Sequence, residues 1–253
     1  NKANTFYDLQ RYDDALSNYQ QAIEIKPEYA PAWNGQAKVL YELNSYQKAL
    51  SAYDTAIQIE PGYQDSWSGR GFVLNKLQRY TEAIASFDKA LKLDSESPRV
   101  WNARGEALSN LKRYDEAVKS YDKAVELQPE YDQAWYNKAW ALYSLKNYKD
   151  ALSTYGKVIE LKPSNERAWY NSGNALVKLN RDRDAVKAYS RAVQYKPNFY
   201  QAWLSRGNVL ITLRRYSEAV ESFQEVLRYQ PKNFDALYSQ GRALHKIQRY
   251  EEA

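Results

Sequence analysis

The sequence predicts an all-α protein built as a tandem array of helix pairs, and three observations predict it. Six of the seven tryptophans, Trp33, Trp67, Trp101, Trp135, Trp169 and Trp203, stand 34 residues apart, and Leu237 takes the next place in the series. Alanine recurs with the same period at Ala15, Ala49, Ala83, Ala117, Ala151, Ala185, Ala219 and Ala253. Six of the eight prolines, Pro27, Pro61, Pro129, Pro163, Pro197 and Pro231, share a third phase, with Ser95 where one is missing. Registers locked to one period mark a repeat architecture, in which each unit buries its apolar face against its neighbours.

Seven units start at residues 30, 64, 98, 132, 166, 200 and 234, so the chain divides into 30–63, 64–97, 98–131, 132–165, 166–199 and 200–233. Residues 1–29 read as the C-terminal part of a truncated unit and 234–253 as the N-terminal part of another. Within a unit the spacing is helical. Trp101, Gly105, Leu108 and Leu111 fall at i, i+4, i+7 and i+10, as do Ala117, Tyr121, Ala124 and Leu127. The first helix ends near a polar turn such as Lys112-Arg113, and the second opens on acids such as Asp115-Glu116, which complements both helix dipoles. Glu251-Glu252 and Asp13-Asp14 are read the same way. Proline then stops the second helix, because it lacks an N–H and clashes with the preceding turn. No strand pattern occurs.

Composition removes several classes of function. A mean hydropathy of −0.80 leaves no run of the roughly 18 apolar residues that a membrane helix needs. Cysteine is absent and His245 is the single histidine, so disulfides, zinc-thiolate sites, thiol nucleophiles and multi-histidine metal sites lack their parts. No cofactor is expected. The balance of 36 basic and 31 acidic residues is too mild to imply nucleic acid by itself. With no initiator methionine and no leader, the residues read as an excerpt of a longer polypeptide, expected in the cytoplasm.

The 34-residue period resembles the tetratricopeptide repeat, over essentially the whole chain. The unit from 98 supplies the residues that family asks for: Trp101, Gly105, Leu108, Ala117, Tyr121, Ala124 and Pro129. Small residues let helix backbones approach, while tryptophan and Phe/Tyr fill the space between units. A larger side chain at Ala117 would overpack by about 1 to 3 kcal/mol, and truncating Trp135 would cost about 3 to 5 kcal/mol. Departures are Asp182 in place of the tyrosine found at Tyr114 and Tyr148, Val158 and Val226 in place of alanine, and Ser95. Local loosening is expected near Asp182.

The resemblance implies a right-handed α-solenoid superhelix whose concave groove is lined by the first helix of each unit, at places taken to be free of the packing constraint. In the unit from 132 these are Gln133, Tyr136, Asn137, Trp140, Tyr143 and Ser144. In the next they are Arg167, Tyr170, Asn171, Asn174, Val177 and Lys178. Asn208 follows, and Asn34, Lys38, Tyr41, Phe72, Asn75, Lys76, Arg99 and Asn102 precede. Asparagine donates and accepts at once, so Asn137, Asn171, Asn174 and Asn208 could hold the backbone of an extended peptide, resembling the asparagine ladder of some tetratricopeptide proteins. Four such bonds at about 0.5 to 1.5 kcal/mol fall short of micromolar binding, so the aromatic residues must contribute. Tyr136, Asn137, Trp140, Tyr143, Arg167, Tyr170, Asn171, Asn174 and Asn208 are therefore the predicted peptide-binding residues, with Trp140, outside the tryptophan register, as the anchor.

The family's carboxylate clamp asks for a lysine where this chain has Asn34, Ser68, Asn102, Tyr136, Tyr170, Leu204 and Tyr238, so chaperone-tail capture is not expected. Gly69-Arg70-Gly71 lies inside a helix with no strand before it and reads as packing, not as a phosphate loop. No residue set performs chemistry. The reading is a protein-interaction module for a peptide or partner domain, within a signalling or scaffold protein of bacterial type. The alternatives are a single-strand nucleic-acid groove, disfavoured by the interleaved acids Glu42, Asp65, Glu106 and Asp235, or an array that regulates an attached catalytic domain such as a kinase. End-to-end self-association through the cut units is also expected.

Overall fold

The computed structural model describes residues 2–250, so Ala253 and the Glu251-Glu252 pair lie outside the described residues. Every described element is helical. The chain divides after Pro129 into two compact units. The first holds α1 (Lys2–Asp8), α2 (Tyr12–Ile25), α3 (Ala30–Glu42), α4 (Tyr46–Ile59), α5 (Gln64–Lys76), α6 (Tyr80–Leu93), α7 (Pro98–Asn110) and α8 (Tyr114–Leu127). The second holds α9 (Asp132–Ser144), α10 (Tyr148–Leu161), α11 (Glu166–Lys178), α12 (Asp182–Tyr195), α13 (Tyr200–Thr212), α14 (Tyr216–Tyr229) and α15 (Phe234–Lys246). This is the expected all-α solenoid of antiparallel helix pairs.

Each pair turns on a residue in the left-handed region that is not glycine, Asn44, Gln78, Lys112, Lys146, Asn180 and Arg214 among them, with φ of 56° to 62°. The next N–H reaches back to the carbonyl five residues earlier, as Arg113 does to Leu108 at 2.9 Å. This arrangement satisfies two carbonyls at the end of the first helix. The acids that open the second helix do more than meet its dipole. Glu116 accepts both Nε and Nη2 of Arg113, at 2.7 Å each, and Glu218 accepts from Arg215 in the same way.

Proline is not what ends the second helix. Ser95 stands in its place, yet α6 still ends at Leu93, two residues before it, as α4 ends at Ile59 two residues before Pro61. Asp94 Oδ1 accepts from the Glu96 N–H at 2.9 Å and closes the turn without the ring. The carbonyl at this place, whether of Pro27, Pro61, Ser95, Pro163 or Pro197, accepts the indole N–H of the tryptophan six residues on, at 2.8 to 2.9 Å. That bond couples the proline and tryptophan registers.

Ala49, Ala83, Ala117, Ala151, Ala185 and Ala219 are fully buried. The small residues of the first helices serve the packing expected of them. A Cβ on Gly71 would come within 2.5 Å of the Phe87 ring, and one on Gly105 within 2.5 Å of Tyr121. Gly71 is thus a contact residue. At Asp182, where local loosening is expected, α12 has the same 14 residues as its counterparts, and Arg181 pairs with Asp184 at 2.8 Å. What Asp182 lacks is the edge-to-face contact that Tyr148 makes with Tyr143 at 5.2 Å.

Candidate functional site

Eight of the nine predicted site residues lie on α9 and α11. Asn171 Nδ2 on α11 donates to Tyr136 Oη on α9 at 2.9 Å. Asn174 Nδ2 lies 3.5 Å from Asn171 Oδ1, and Tyr189 Oη on α12 donates to Asn174 Oδ1 at 2.7 Å. A chain of side-chain hydrogen bonds therefore runs Tyr136, Asn171, Asn174, Tyr189. Its rings are supported from behind, Tyr136 edge-on to Tyr155 at 5.8 Å, and Tyr170 against Tyr189 at 5.8 Å and Phe199 at 5.0 Å. Burial pushes the Tyr136 phenol above its ordinary range, opposed by the Arg167 charge and the bond from Asn171.

The ladder asparagines were expected to stand ready for a ligand, but in the structure Asn171 and Asn174 are already joined to each other. An amide offers two donors and two lone pairs, and Asn171 also bonds the Tyr155 phenol, so a lone pair on its oxygen is what it keeps for a partner. Asn137 Oδ1 accepts from Gln133 Nε2 at 2.8 Å. Trp140 is 42% exposed, an unusual state for so large an apolar side chain. Tyr143 is half-buried and Arg167 exposed. Asn208 stands apart on α13, exposed, its backbone carbonyl accepting from Thr212.

Other predicted groove places are not free of packing. Asn34 and Asn102 are buried, 3% and 5% exposed. Asn34 Oδ1 accepts from Ser66 Oγ on α5 at 3.2 Å, and Asn102 Nδ2 donates to Glu106 at 2.8 Å. Asn75 donates to the Ala103 carbonyl on α7 at 3.1 Å. Asn34 and Asn75 thus bridge successive first helices, and the Asn102 bond stays within α7.

Sequence reasoning gave little weight to a pocket of 340 Å³ in the first unit, lined by Tyr41, Tyr53, Phe72, Lys38, Asp65 and Arg99 among others. Gly69 opens it, since a side chain there would run into the Tyr53 ring. Lys38 pairs with Asp65 at 3.0 Å, and the Arg99 guanidinium lies 4.6 Å over Phe72. At its edge Tyr7 donates to Glu42 at 3.3 Å, and burial, reinforced by Glu42, raises the Tyr7 phenol to about 12. A glycine in a groove place was the available signal. His245 is exposed, edge-on to Tyr250 at 5.2 Å.

Among the described residues no group of three or more His, Asp or Glu side chains could hold a metal ion, and no helix is long and apolar enough to cross a membrane. The Tetratricopeptide repeat family model matches residues 1–64, 69–132, 107–166, 170–225 and 204–253. The chain belongs to the tetratricopeptide repeat family. That places it in a fold of protein-interaction modules.

Three solved structures show how far the likeness extends. YrrB, described as a tetratricopeptide protein with an unusual peptide-binding site, is 26% identical, with a TM-score of 0.68 over 73% of this chain and 95% of that one. The C-terminal part of a repeat protein from Cytophaga hutchinsonii is 18% identical, with a TM-score of 0.81 over 94% and 98%. The APC/C hetero-tetramer Cut9-Hcn1 matches at 16% identity and a TM-score of 0.63, over 96% of this chain and 48% of that one. The last two share the fold alone. No curated protein matches the sequence.

Proposed function

We propose that this tetratricopeptide protein binds an extended peptide along α9, α11 and α13, through Tyr136, Asn137, Trp140, Tyr143, Arg167, Tyr170, Asn171, Asn174 and Asn208. The exposed Trp140 carries the reading: an indole with 42% of its surface in water, beside the amides of Asn137, Asn171 and Asn174, suits a chain whose backbone is held and whose apolar side chain is covered. The peptide-binding site of YrrB supports the same use of the fold. Repeat boundaries at 30, 64, 98, 132, 166, 200 and 234 belong to this reading, as does a scaffold role without chemistry of its own.

The test is a peptide-library pulldown with the parent and a Trp140→Ala, Asn171→Ala variant, both checked for helicity. The variant should lose the retained peptides. Equal retention by both proteins removes the site.

A further inference from the structure

At three places one arginine straps adjacent helices together. Arg70 donates to Asp54 at 2.7 Å and Ser86 at 2.6 Å, each 16 residues away in sequence. Arg104 does the same to Asp88 at 2.6 Å and Ser120 at 2.7 Å, and Arg206 to Ser190 at 3.0 Å and Ser222 at 2.6 Å. On α11 all three members are exchanged together. Ser172 replaces the arginine, Gly156 on α10 the first acceptor, and Ala188 on α12 the second.

The truncated strap leaves a hollow of 420 Å³ walled by Leu152, Ile159, Trp169 and Leu176. A Cβ on Gly156 would meet nothing within 4 Å. Ser172 lines the hollow, is 4% exposed, and among the described residues its hydroxyl has no hydrogen-bond partner. Buried hydroxyls are nearly always paired, and this one has lost the arginine geometry of its counterparts.

Beside the hollow, α12 presents Arg183, Lys187 and Arg191 at i, i+4 and i+8, a spacing at which like charges repel. Lys187 has Asp184 at 3.6 Å and Arg191 bonds the neutral Gln194, while Arg183 has no ion pair among the described residues. The same three cations, with Arg206 and Arg215, line an adjoining trough of 840 Å³ that has no acid among its described lining residues. Glu218 answers only Arg206 and Arg215.

We infer that the surface of α10, α11 and α12 docks an acidic peptide, which inserts one aromatic side chain bearing a polar atom into the hollow and lays carboxylates along Arg183, Lys187 and Arg191. The apolar walls take the ring, Ser172 supplies its hydrogen bond, and the cations of α12, of which among the described residues Lys187 alone has an acidic partner, Asp184, select the flanking charge. The apolar hollow favours a peptide over a nucleic-acid strand. This surface is separate from the Tyr136 to Asn174 cluster and does not depend on it.

The probe is a fluorescein-labelled peptide with one tyrosine between two runs of three glutamates, followed by anisotropy. Gly156→Asp, Ser172→Arg, Ala188→Ser rebuilds the strap of the other places, so the variant should fold, and it should bind at least about tenfold more weakly. Arg183→Glu, Lys187→Glu, Arg191→Glu should weaken it as much, as should serine for the tyrosine or lysines for the glutamates. Trp140→Ala, Asn171→Ala should leave it unchanged. The proposal is overturned if the parent shows no binding up to about 1 mM probe, if the rebuilt variant or either altered peptide binds as the originals do, or if a labelled oligothymidylate binds more tightly.

Discussion

The indole N–H of Trp169 donates to the carbonyl of Pro163 at 2.8 Å, across the loop that joins α10 to α11. The tryptophan is half-buried, against Ala192, Val193 and Ala202, so it both packs and ties the loop. The two roles separate by substitution. Trp169→Phe keeps most of the packing and should cost about 1 kcal/mol, the net worth of one hydrogen bond. Trp169→Ala should cost about 2 to 3 kcal/mol, at or below the low end of the range for a fully buried ring. Urea midpoints at constant slope measure both: no loss in Trp169→Phe would show that the bond contributes nothing, and equal losses would show the same of the ring's packing.

Lys112 turns the chain at φ 60°, where any side chain with a Cβ is disfavoured and glycine is at ease. Lys112→Gly should therefore raise stability by about 0.5 to 1 kcal/mol, despite the greater freedom of glycine in the unfolded chain. A lowered urea midpoint would mean that the lysine side chain contributes more than its backbone conformation costs.

Gly105 faces the fully buried Tyr121, whose ring a Cβ would approach to 2.5 Å. Neither ring nor helix has room to yield, so Gly105→Ala should destabilise by about 1 to 3 kcal/mol even though alanine is the better helix former. Gly156→Ala, with open space around it, should be neutral or stabilising by up to about 1 kcal/mol. Thermal melts of the two variants should move in opposite directions or differ plainly.

The fold was legible because its packing repeats: a period read from Trp33 to Trp203 or from Ala15 to Ala219 needs no coordinates. The site was less so. Asn34 and Asn171 both read as groove residues, yet one is sealed against Ser66 and the other is held by Tyr136 beside the exposed Trp140. Periodicity assigns a residue to a helix face, not to the distance of the next helix. The exchange at Gly156, Ser172 and Ala188 was present in the sequence, but each change alone resembles ordinary drift. Only the straps of Arg70, Arg104 and Arg206 show that the three belong together.

Alkali should unfold the protein through its tyrosines. Burial raises Tyr7 from 10.0 to about 12, and raises Tyr53, Tyr121, Tyr155 and Tyr189 as well. The folded chain thus holds these protons after the unfolded chain has begun to release them. Stability is fully present below about pH 10 and is lost as pH rises through about 12, the window set by Tyr7. Urea midpoints at about pH 8 and about pH 11, read beside tyrosinate absorbance, should show the fall. A flat profile would mean that the phenols ionise without unfolding.

On α15, Phe234 is 75% exposed and stacks on Tyr238 with ring centroids 6.1 Å apart, and Leu237 beside them is 49% exposed. Three large apolar side chains in one turn form a patch that water disfavours, of the kind that marks contacts between chains. Self-association through this helix is the expected outcome, with an average mass that grows with concentration in light scattering. Leu237→Lys, Tyr238→Glu should hold the protein monomeric at the highest concentration reached, because each introduced charge would have to be desolvated on association. Should the parent itself stay monomeric under those conditions, the patch is not an interface between copies of this chain.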